Sequence, residues 1–353
     1  MKFRNICILR VGAIGDVLHT LPIVSLLAEC FRKHKITYVT SSPLVDLLKH
    51  ARGIDQVVPI NFKSNPLELI DQFQTLKQAS VVPEEVEEES KSVGFDIFIN
   101  LQPNWKSRLL AYLLGSRQYY EYHKAKGNNG LNPSSQQEEH AWVNFAKSYF
   151  HDKDLEEVNI ERFFPLIDLP ETVVRQAAKE LNLDPYKKHL ALIPGVGLHR
   201  PHRAWPLSNW VNLINLLEER GDERLNLLLL GGPDEIELCK ELEQKTQHCK
   251  KIKIYNLCGQ FNLLGTAAIL KNCDLVIGGD TGPIHLAAAL ACKCICLFGP
   301  TSPARHAPFV GIGLQAPDYQ CAKACTQKKC VRPSLNCMES LTPEEVWLAM
   351  NEV

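Results

Sequence analysis

The sequence lacks the features that mark membrane, nucleic-acid-binding and secreted proteins. None of its apolar runs approaches the roughly 18 to 20 residues of a membrane span. Its 39 basic and 40 acidic residues leave a formal net charge of -1, so no overall field attracts nucleic acid or an anionic membrane. The N-terminal stretch MKFRNICILRVGAIGD has no small-residue cleavage site and predicts a first strand. These absences predict a cytoplasmic protein without a nucleic-acid partner.

The 13 cysteines lack the even, regular spacing of a disulfide framework. Because their number is odd and they are scattered through apolar segments, the pattern predicts reduced thiols in the core. Cys292, Cys294 and Cys296 alternate along one segment, so they would share one face of a strand.

A second group of cysteines near the C-terminus contains no C-x-x-C pair. It consists of Cys321, Cys325, Cys330 and Cys337. The spacing matches no standard zinc finger, so two alternatives stay open, a structural metal ion or free thiols.

Short apolar runs alternate with helical patterns along the second half of the chain. The strand candidates are 189–195, 225–232, 254–259, 274–280 and 292–299. Helical patterns between them begin at Pro206, Pro233, Phe261 and Pro283. Strands that are apolar on both faces and alternate with helices predict a parallel, doubly wound sheet of Rossmann-like type.

The first half repeats this alternation. Its strand candidates are 5–11, 35–41, 56–60, 95–102 and 117–123. The acidic run 83–91 predicts a solvated surface segment. The polar stretch 126–139 predicts a mobile loop, and both a tolerated insertion and a substrate-gripping role stay open.

Two prolines near residues 161–173 indicate a domain boundary. We therefore predict two α/β domains, 1–165 and 166–340, that face a central cleft, with a helix in 341–353. Parallel sheets bind ligands beyond the carboxyl ends of their strands, which predicts the chemistry in that cleft.

The strongest candidate site is GGDTGPIHLAAAL, residues 278–290. It follows an apolar strand and opens a helix, where free backbone N–H groups and the helix dipole attract an anion. Asp280 and Thr281 can bind hydroxyl groups, Gly282 permits close approach, and His285 lies in the first turn. The alternative is a capped helix with no ligand.

Two further loops follow strands in the same half. In PGVGLHRPHRAWPLSNW, the basic residues from His199 to Arg203 would bind a pyrophosphate or form an exposed basic loop. In GGPDE, Asp234 or Glu235 would accept hydrogen bonds from ribose hydroxyls or serve as a helix N-terminal charge.

The stretch VGAIGDVLHT, residues 11–20, contains Gly12 and Gly15 but not the full G-x-G-x-x-G fingerprint, which disfavours a nicotinamide cofactor. The glycines turn the chain after a strand and deliver Asp16 to the top of the sheet. There it would act as a general base for an incoming hydroxyl or only cap the helix.

Residues 8–27, the PG loop with RAWPLSNW, and GGDTGPIHLAAAL, in this order and spacing, resemble glycosyltransferase family nine. These are the heptosyltransferases that build the inner core of bacterial lipopolysaccharide. The resemblance implies a GT-B fold, an ADP-heptose donor and an acidic Kdo or heptosyl-lipid acceptor. It further implies an inverting reaction without a catalytic metal. A lipid-linked acceptor would place this reaction at the cytoplasmic face of the inner membrane, and peripheral contact with that membrane stays open.

The resemblance also implies roles for individual residues. The family's base corresponds to Asp16, and the basic residue before WP, commonly lysine, is Arg203 here. The donor-binding motif falls on Asp280, Thr281, Gly282 and His285. The C-terminal helix is expected to cross back to the first domain, and one protein-modifying branch is thought to hold iron with a cysteine cluster. Another nucleotide sugar, a protein or other glycan acceptor, and a non-catalytic nucleotide-sugar-binding protein remain alternatives.

Overall fold

The computed structural model describes residues 4–31, 33–81, 94–123, 139–184, 186–197, 201–221, 225–317, 330 and 337–353. These residues form two compact units. The first contains the described residues from 4 to 123 and from 141 to 168, and the second contains residues 139–140 and those from 169 to 353. None of the helices in these ranges combines the length and the apolar character needed to cross a membrane.

The first unit is a five-stranded parallel sheet in the order β3-β2-β1-β4-β5. Its strands are β1 (Arg4–Leu9), β2 (His34–Thr40), β3 (Gln56–Pro59), β4 (Ile97–Asn100) and β5 (Gln118–Glu121). The helices are α1 (Ile14–Leu18), α2 (Leu21–Cys30), α3 (Val45–Leu48), α4 (Pro66–Ala79), α5 (Trp105–Leu114), α6 (Ala141–Ala146) and α7 (Asp152–Glu156). β2 and β3 are added on one side of β1, and β4 and β5 on the other side, so the strand order reverses between β1 and β4. The crevice at the carboxyl ends of these two strands is the expected ligand site.

The central strands form because both of their faces are apolar. In β1, Ile6 to Leu9 are all fully buried, and Phe98 of β4 packs with Leu110 of α5 in one core cluster. Burial on both faces is characteristic of a parallel sheet covered by helices.

The second unit is a six-stranded parallel sheet in the order β11-β10-β9-β6-β7-β8. Its strands are β6 (Lys188–Ile193), β7 (Leu225–Leu229), β8 (Lys253–Asn256), β9 (Leu275–Gly279), β10 (Cys294–Phe298) and β11 (Ile312–Gln315). The helices are α8 (Glu171–Glu180), α9 (Leu207–Arg220), α10 (Ile236–Lys245), α11 (Leu263–Leu270), α12 (Gly282–Ala289), α13 (Pro303–His306) and α14 (Pro343–Ala349). Here the strand order reverses between β6 and β9. The loops after these two strands therefore meet at the expected ligand crevice.

The final helix lies within the second unit. The indole nitrogen of Trp205 donates to the carbonyl oxygen of Leu341 at 2.8 Å, and Val346 and Ala349 are buried in the same core as Trp210 of α9. Thr342 and Glu345 form the predicted capping box at the start of α14. The helix that was expected to cross back to the first domain therefore packs against α9.

The alternating cysteines are packing residues. Cys292, Cys294 and Cys296 are all buried, with at most 6 % of their surface exposed. Burial raises the pKa of the Cys292 thiol to about 11 and that of Cys296 well above its ordinary value. These thiols stay protonated at neutral pH and are poor nucleophiles.

Candidate functional site

Asp16 lies in the first turn of α1, directly after the carboxyl end of β1. The N-cap of this helix is Ala13, with no side-chain cap, so Asp16 does not cap the helix. Its carboxylate accepts a hydrogen bond from the guanidinium of Arg10. The Asp16 side chain is 41 % exposed whereas that of Arg10 is only 11 % exposed, so the carboxylate presents an accessible oxygen above a fixed cation.

The Arg10 guanidinium is held from two further directions. Its Nη1 donates to the carbonyl oxygen of Leu101 at 2.6 Å, and its central carbon lies 5.0 Å from the centroid of the Phe145 ring. A guanidinium over an aromatic face is electrostatically favourable. Because Arg10 is fixed, it also fixes the Asp16 carboxylate that it contacts.

The turn that contains Gly12 is fixed by a side chain from the neighbouring strand. Gln102 Oε1 accepts from the backbone N–H of Val11 at 2.9 Å and of Gly12 at 3.3 Å. The Gln102 N–H in turn donates to Asn100 Oδ1 at 3.2 Å. Gly15 is the second residue of α1, and its carbonyl accepts from the His19 N–H at 2.9 Å. The loops after β1 and β4 thus brace each other at the reversal point of the sheet.

A cavity of about 440 Å³ opens at the carboxyl end of β5. A parallel sheet places this end on the same edge as the carboxyl end of β1. The lining residues come from β5 and the residues just after it, and from α6 with its following turn. They are Tyr119, Tyr120, Glu121, His123, Asn144, Lys147 and Ser148. No motif in the sequence indicated this cavity.

In the second unit, Asp280, His285 and Arg203 form one largely buried polar cluster. Asp280 Oδ1 lies 3.0 Å from His285 Nε2, and Asp280 Oδ2 lies 3.5 Å from Arg203 Nη1. The side chains are between 5 % and 15 % exposed. Burial opposes the charge on Asp280, but the hydrogen bond from His285 and the electrostatic effects of His285, His306 and Arg203 outweigh it and hold the pKa of Asp280 well below its usual range. Asp280 is therefore ionised at neutral pH.

Two histidines that the sequence did not single out belong to the surroundings of this cluster. Burial lowers the pKa of His306 to about 4, although Asp280 opposes the shift. Burial also lowers the pKa of His140, whose Nε2 lies 3.0 Å from the carbonyl oxygen of Ala307. Both are neutral at pH 7, so neither adds a charge to the ion pair of Arg203 and Asp280.

The start of α12 carries no side-chain cap. Thr281 occupies the N-cap position with extended backbone, and its Oγ1 donates to the Gly279 carbonyl at 3.3 Å. The Asp280 oxygens face His285 and Arg203. The first backbone N–H groups of a helix have no intrahelical acceptor. Pro283 has no N–H and the His285 N–H donates to the Thr281 carbonyl oxygen at 3.4 Å, so the N–H groups of Gly282 and Ile284 are the ones suited to an anion.

Glycines allow the loops after β6 and β9 to approach closely. A Cβ on Gly278 would lie 2.9 Å from Ile193 Cβ, and one on Gly279 would lie 3.0 Å from Val196 Cγ1. Contacts this short are not tolerated without movement of the neighbouring chain. The glycines of the GGDTG motif thus bring the two predicted donor loops together.

Glu235 braces the loop that carries the basic residues. Its Oε1 accepts from the Gly197 N–H at 3.0 Å and its Oε2 accepts from the Gly232 N–H at 2.7 Å. Both oxygens are therefore committed to backbone, whereas Asp234 is exposed in the turn Pro233–Glu235. Of the two acidic residues, Asp234 is therefore the more accessible.

Some predicted features fall outside the described residues. These are His199 and Arg200 in the basic loop, the acidic run 83–91, the polar stretch 126–139 apart from its last residue, and Cys321 and Cys325. Cys330 is half-buried and Cys337 is buried. Within the part of the chain that the structure describes, no group of three or more His, Cys, Asp or Glu side chains could hold a metal ion. The metal alternative for the C-terminal cysteines stays a prediction.

Solved structures share this two-unit architecture over almost the whole chain. A glycosyltransferase of family 9 from Veillonella parvula matches with a TM-score of 0.74 and 20 % identity over 99 % of this chain and 97 % of that one. The heptosyltransferase WaaC from E. coli, solved with ADP, matches with a TM-score of 0.65 and 20 % identity over 99 % of both chains. The fold is thus that of the GT-B glycosyltransferases, with two Rossmann-like units.

The sequence comparisons identify the family. The model of glycosyltransferase family 9 (heptosyltransferase) matches residues 86–333, a range that contains Arg203, Asp280 and His285. Lipooligosaccharide heptosyltransferase 2 of Campylobacter jejuni is 28 % identical over 72 % of this chain and 74 % of that protein. The chain belongs to glycosyltransferase family 9 and is a glycosyltransferase, which confirms the resemblance found in its motifs.

Proposed function

We propose that the protein transfers heptose from ADP-heptose to an inner-core acceptor of lipopolysaccharide, with inversion at the anomeric carbon, and that Asp16 is the general base. The observation that carries the proposal is the exposed Asp16 carboxylate, fixed by Arg10 at the reversal point of the first sheet. An aspartate is ionised at neutral pH and can accept the proton of an attacking hydroxyl.

The relatives support the choice of donor. E. coli WaaC was solved with ADP and with ADP-2-deoxy-2-fluoro heptose. In this chain, the uncapped start of α12 and the Arg203 guanidinium supply donors for a diphosphate. We assign Asp280 and His285 to holding Arg203 and the first turn of α12 in place, with Thr281 and Gly282 at the ligand, and Asp234 to the ribose.

The reaction follows from these roles. The acceptor oxygen attacks the anomeric carbon on the face opposite the diphosphate, and its proton passes to Asp16. The bond between the anomeric carbon and the diphosphate oxygen breaks, and ADP leaves with the electron pair. Preorganised donors stabilise the charge that develops on the diphosphate, so the step needs no catalytic metal.

The proposed acceptor follows from the similarity to lipopolysaccharide heptosyltransferases. Lipopolysaccharide heptosyltransferase 1 of Campylobacter coli is 22 % identical over 99 % of this chain and 98 % of that protein. We assign the acceptor to the Kdo or heptose residues of the lipid-linked inner core. A lipid-linked acceptor places the reaction at the cytoplasmic face of the inner membrane.

The test measures nucleotide release from ADP-heptose and a panel of UDP- and GDP-sugars, with and without heptose-free lipopolysaccharide. We expect ADP release that depends on the acceptor. Asp16→Asn is expected to lose nearly all turnover and to retain donor binding, because it removes only the proton acceptor. The matched control is Asp46→Asn, another exposed aspartate with a basic partner in the same unit, which should turn over normally. Normal turnover of Asp16→Asn would disprove the base, and failure to bind any sugar nucleotide would disprove the transferase.

A further inference from the structure

Helix α5 exposes large apolar side chains along its solvent side. Trp105 is 69 % exposed, Leu109 47 %, Tyr112 82 % and Leu113 55 %. Their spacing of four, three and one residues places them on one face of a helix. We call these four residues the α5 apolar face. Isolated exposed apolar residues are ordinary, but a contiguous set on one helix marks an interaction site.

The α5 apolar face is not needed to build the helix. The opposite side of α5 buries Leu110, Ala111 and Leu114 in the core of the first unit. Asn104 and Ser107 form a capping box at its start, and Gly115, in the left-handed conformation, ends it. The helix is therefore fully specified by its buried side and its caps, and the apolar residues on its outer side require another explanation.

The charges on and beside α5 are mainly basic. The helix contains Lys106 and Arg108 and no acidic residue. Lys106 Nζ donates to the Phe62 carbonyl oxygen, beside the exposed Lys63, and lies 5.6 Å from the centroid of the Trp105 ring. Arg108 forms a bidentate pair with Glu121. The two lysines thus leave a positive charge next to the apolar face, in a chain whose formal net charge is -1.

These features favour a lipid surface over a second copy of the chain. The four side chains together expose on the order of 500 Å², whereas a stable protein interface buries about 800 Å² per partner. Helices that lie in a membrane interface carry aromatic and leucine residues on one face and basic residues beside it. Basic side chains near a bilayer attract anionic head groups.

We propose that the α5 apolar face docks this protein onto the surface of an anionic phospholipid bilayer. Leu109 and Leu113 enter the acyl boundary, the Trp105 and Tyr112 rings lie at head-group level, and Lys63 and Lys106 face the lipid phosphates. The inference rests on the proposed function in one respect, that the lipid-linked acceptor lies in such a bilayer.

The experiment is co-sedimentation of the full chain with vesicles of phosphatidylethanolamine and phosphatidylglycerol, and separately with phosphatidylcholine vesicles. We expect binding to the anionic vesicles, weakened by salt. Leu109→Glu with Leu113→Glu should reduce partitioning by about tenfold or more, because two buried leucine side chains are lost. Lys106→Glu should remove the preference for the anionic vesicles. The controls are Tyr186→Glu and Leu348→Glu, exposed apolar residues outside α5 at 85 % and 62 %, which should bind as the unmodified protein does.

Three outcomes would overturn the inference. The first is that the unmodified protein does not bind the anionic vesicles, and the second is that the leucine variant binds them as well as the unmodified protein does. The third is a dimer in light scattering that the leucine substitutions dissociate, since the face would then bind a second copy. Turnover of a water-soluble, deacylated acceptor separates the two proposals. If the proposed function holds, both the unmodified protein and the leucine variant turn over this acceptor, whatever the vesicles show.

Discussion

Arg10 and Asp16, six residues apart, are joined by a hydrogen bond from guanidinium to carboxylate, and the other terminal nitrogen of Arg10 is held by the Leu101 carbonyl. Arg10 therefore positions the proposed base without itself being exposed. Asp16 would accept the proton, and Arg10 would only orient the Asp16 carboxylate.

Replacing Arg10 should reduce the rate of the chemical step more than donor binding. We expect Arg10→Met to lower kcat by about 10- to 100-fold, because a charge-assisted hydrogen bond is worth roughly 1.5–3 kcal/mol. Arg10→Lys should recover part of the loss, and the KM for the donor should change little in both. Steady-state kinetics measure this split, with Lys49→Met as a control that breaks the exposed Asp46 pair. An equal rise in donor KM would show that Arg10 has a general structural role.

Replacing Gly195 should weaken donor binding, because the substitution would displace the Glu235 side chain. A Cβ on Gly195 would lie 2.0 Å from Glu235 Oε1, so Gly195→Ala would displace the carboxylate that holds the Gly197 N–H. We expect the donor Kd to rise by about tenfold, which corresponds to roughly 1.4 kcal/mol. Calorimetry with ADP measures the change.

Gly232→Ala is the matched control for this prediction. A Cβ there would lie 3.9 Å from Glu235 Oε2, an ordinary contact, and the backbone φ of -79° suits alanine. The donor Kd should stay unchanged. Equal effects of the two substitutions would contradict the role assigned to Glu235.

Substitutions of the two aspartates of the proposed donor site should affect different properties, stability for Asp280 and ADP affinity for Asp234. Asp280→Asn removes the charge that balances the largely buried Arg203, and we expect about 3 kcal/mol lower free energy of unfolding. Asp234→Asn changes only an exposed side chain, so stability should hold while affinity for ADP falls. Urea denaturation and ADP titration of both variants measure the difference. An unchanged stability of Asp280→Asn would contradict the buried pairing.

The neutral state of His306 predicts a pH dependence of stability. Its pKa is about 4 in the folded chain against an ordinary 6.5, so between these values the unfolded chain binds the proton and the folded chain does not. Stability is therefore complete above 6.5 and falls as the pH is lowered towards 4. His306 should contribute a loss of up to about 2 kcal/mol between pH 6.5 and about pH 5. Urea denaturation at both pH values should show a smaller loss in His306→Gln, and an equal loss would exclude His306 as the source.

Much of the fold could be predicted from the sequence because its central strands are apolar on both faces. Every strand from β1 to β10 was predicted, usually with an extra residue or two at its ends. β11 was missed because its residues Ile312–Gln315 include a glycine and are only partly buried. The placement of α14 against α9 depends on tertiary contacts such as that of Trp205 with Leu341, which leave no local pattern.

The site could be predicted only where a motif was present. Asp16 and the DTG motif stand out because glycines flank them after apolar runs. Arg10 does not stand out, because a single charge after the apolar run ICIL resembles the end of any strand. His140 lies in a loop and His306 ends the short helix α13, and no periodicity marks either of them. Which acid of GGPDE is the more accessible depends on the hydrogen bond from the Gly197 N–H to Glu235.

Because α5 is already capped and packed in the folded protein, docking on lipid would order no backbone. Helices that fold only on contact with a membrane lose conformational entropy at that moment, and this one has lost it during folding. Association would then be rapid and reversible, and the affinity for the bilayer would rise with its negative charge and fall with salt concentration. The enzyme could leave one acceptor and reach the next without refolding any part of itself.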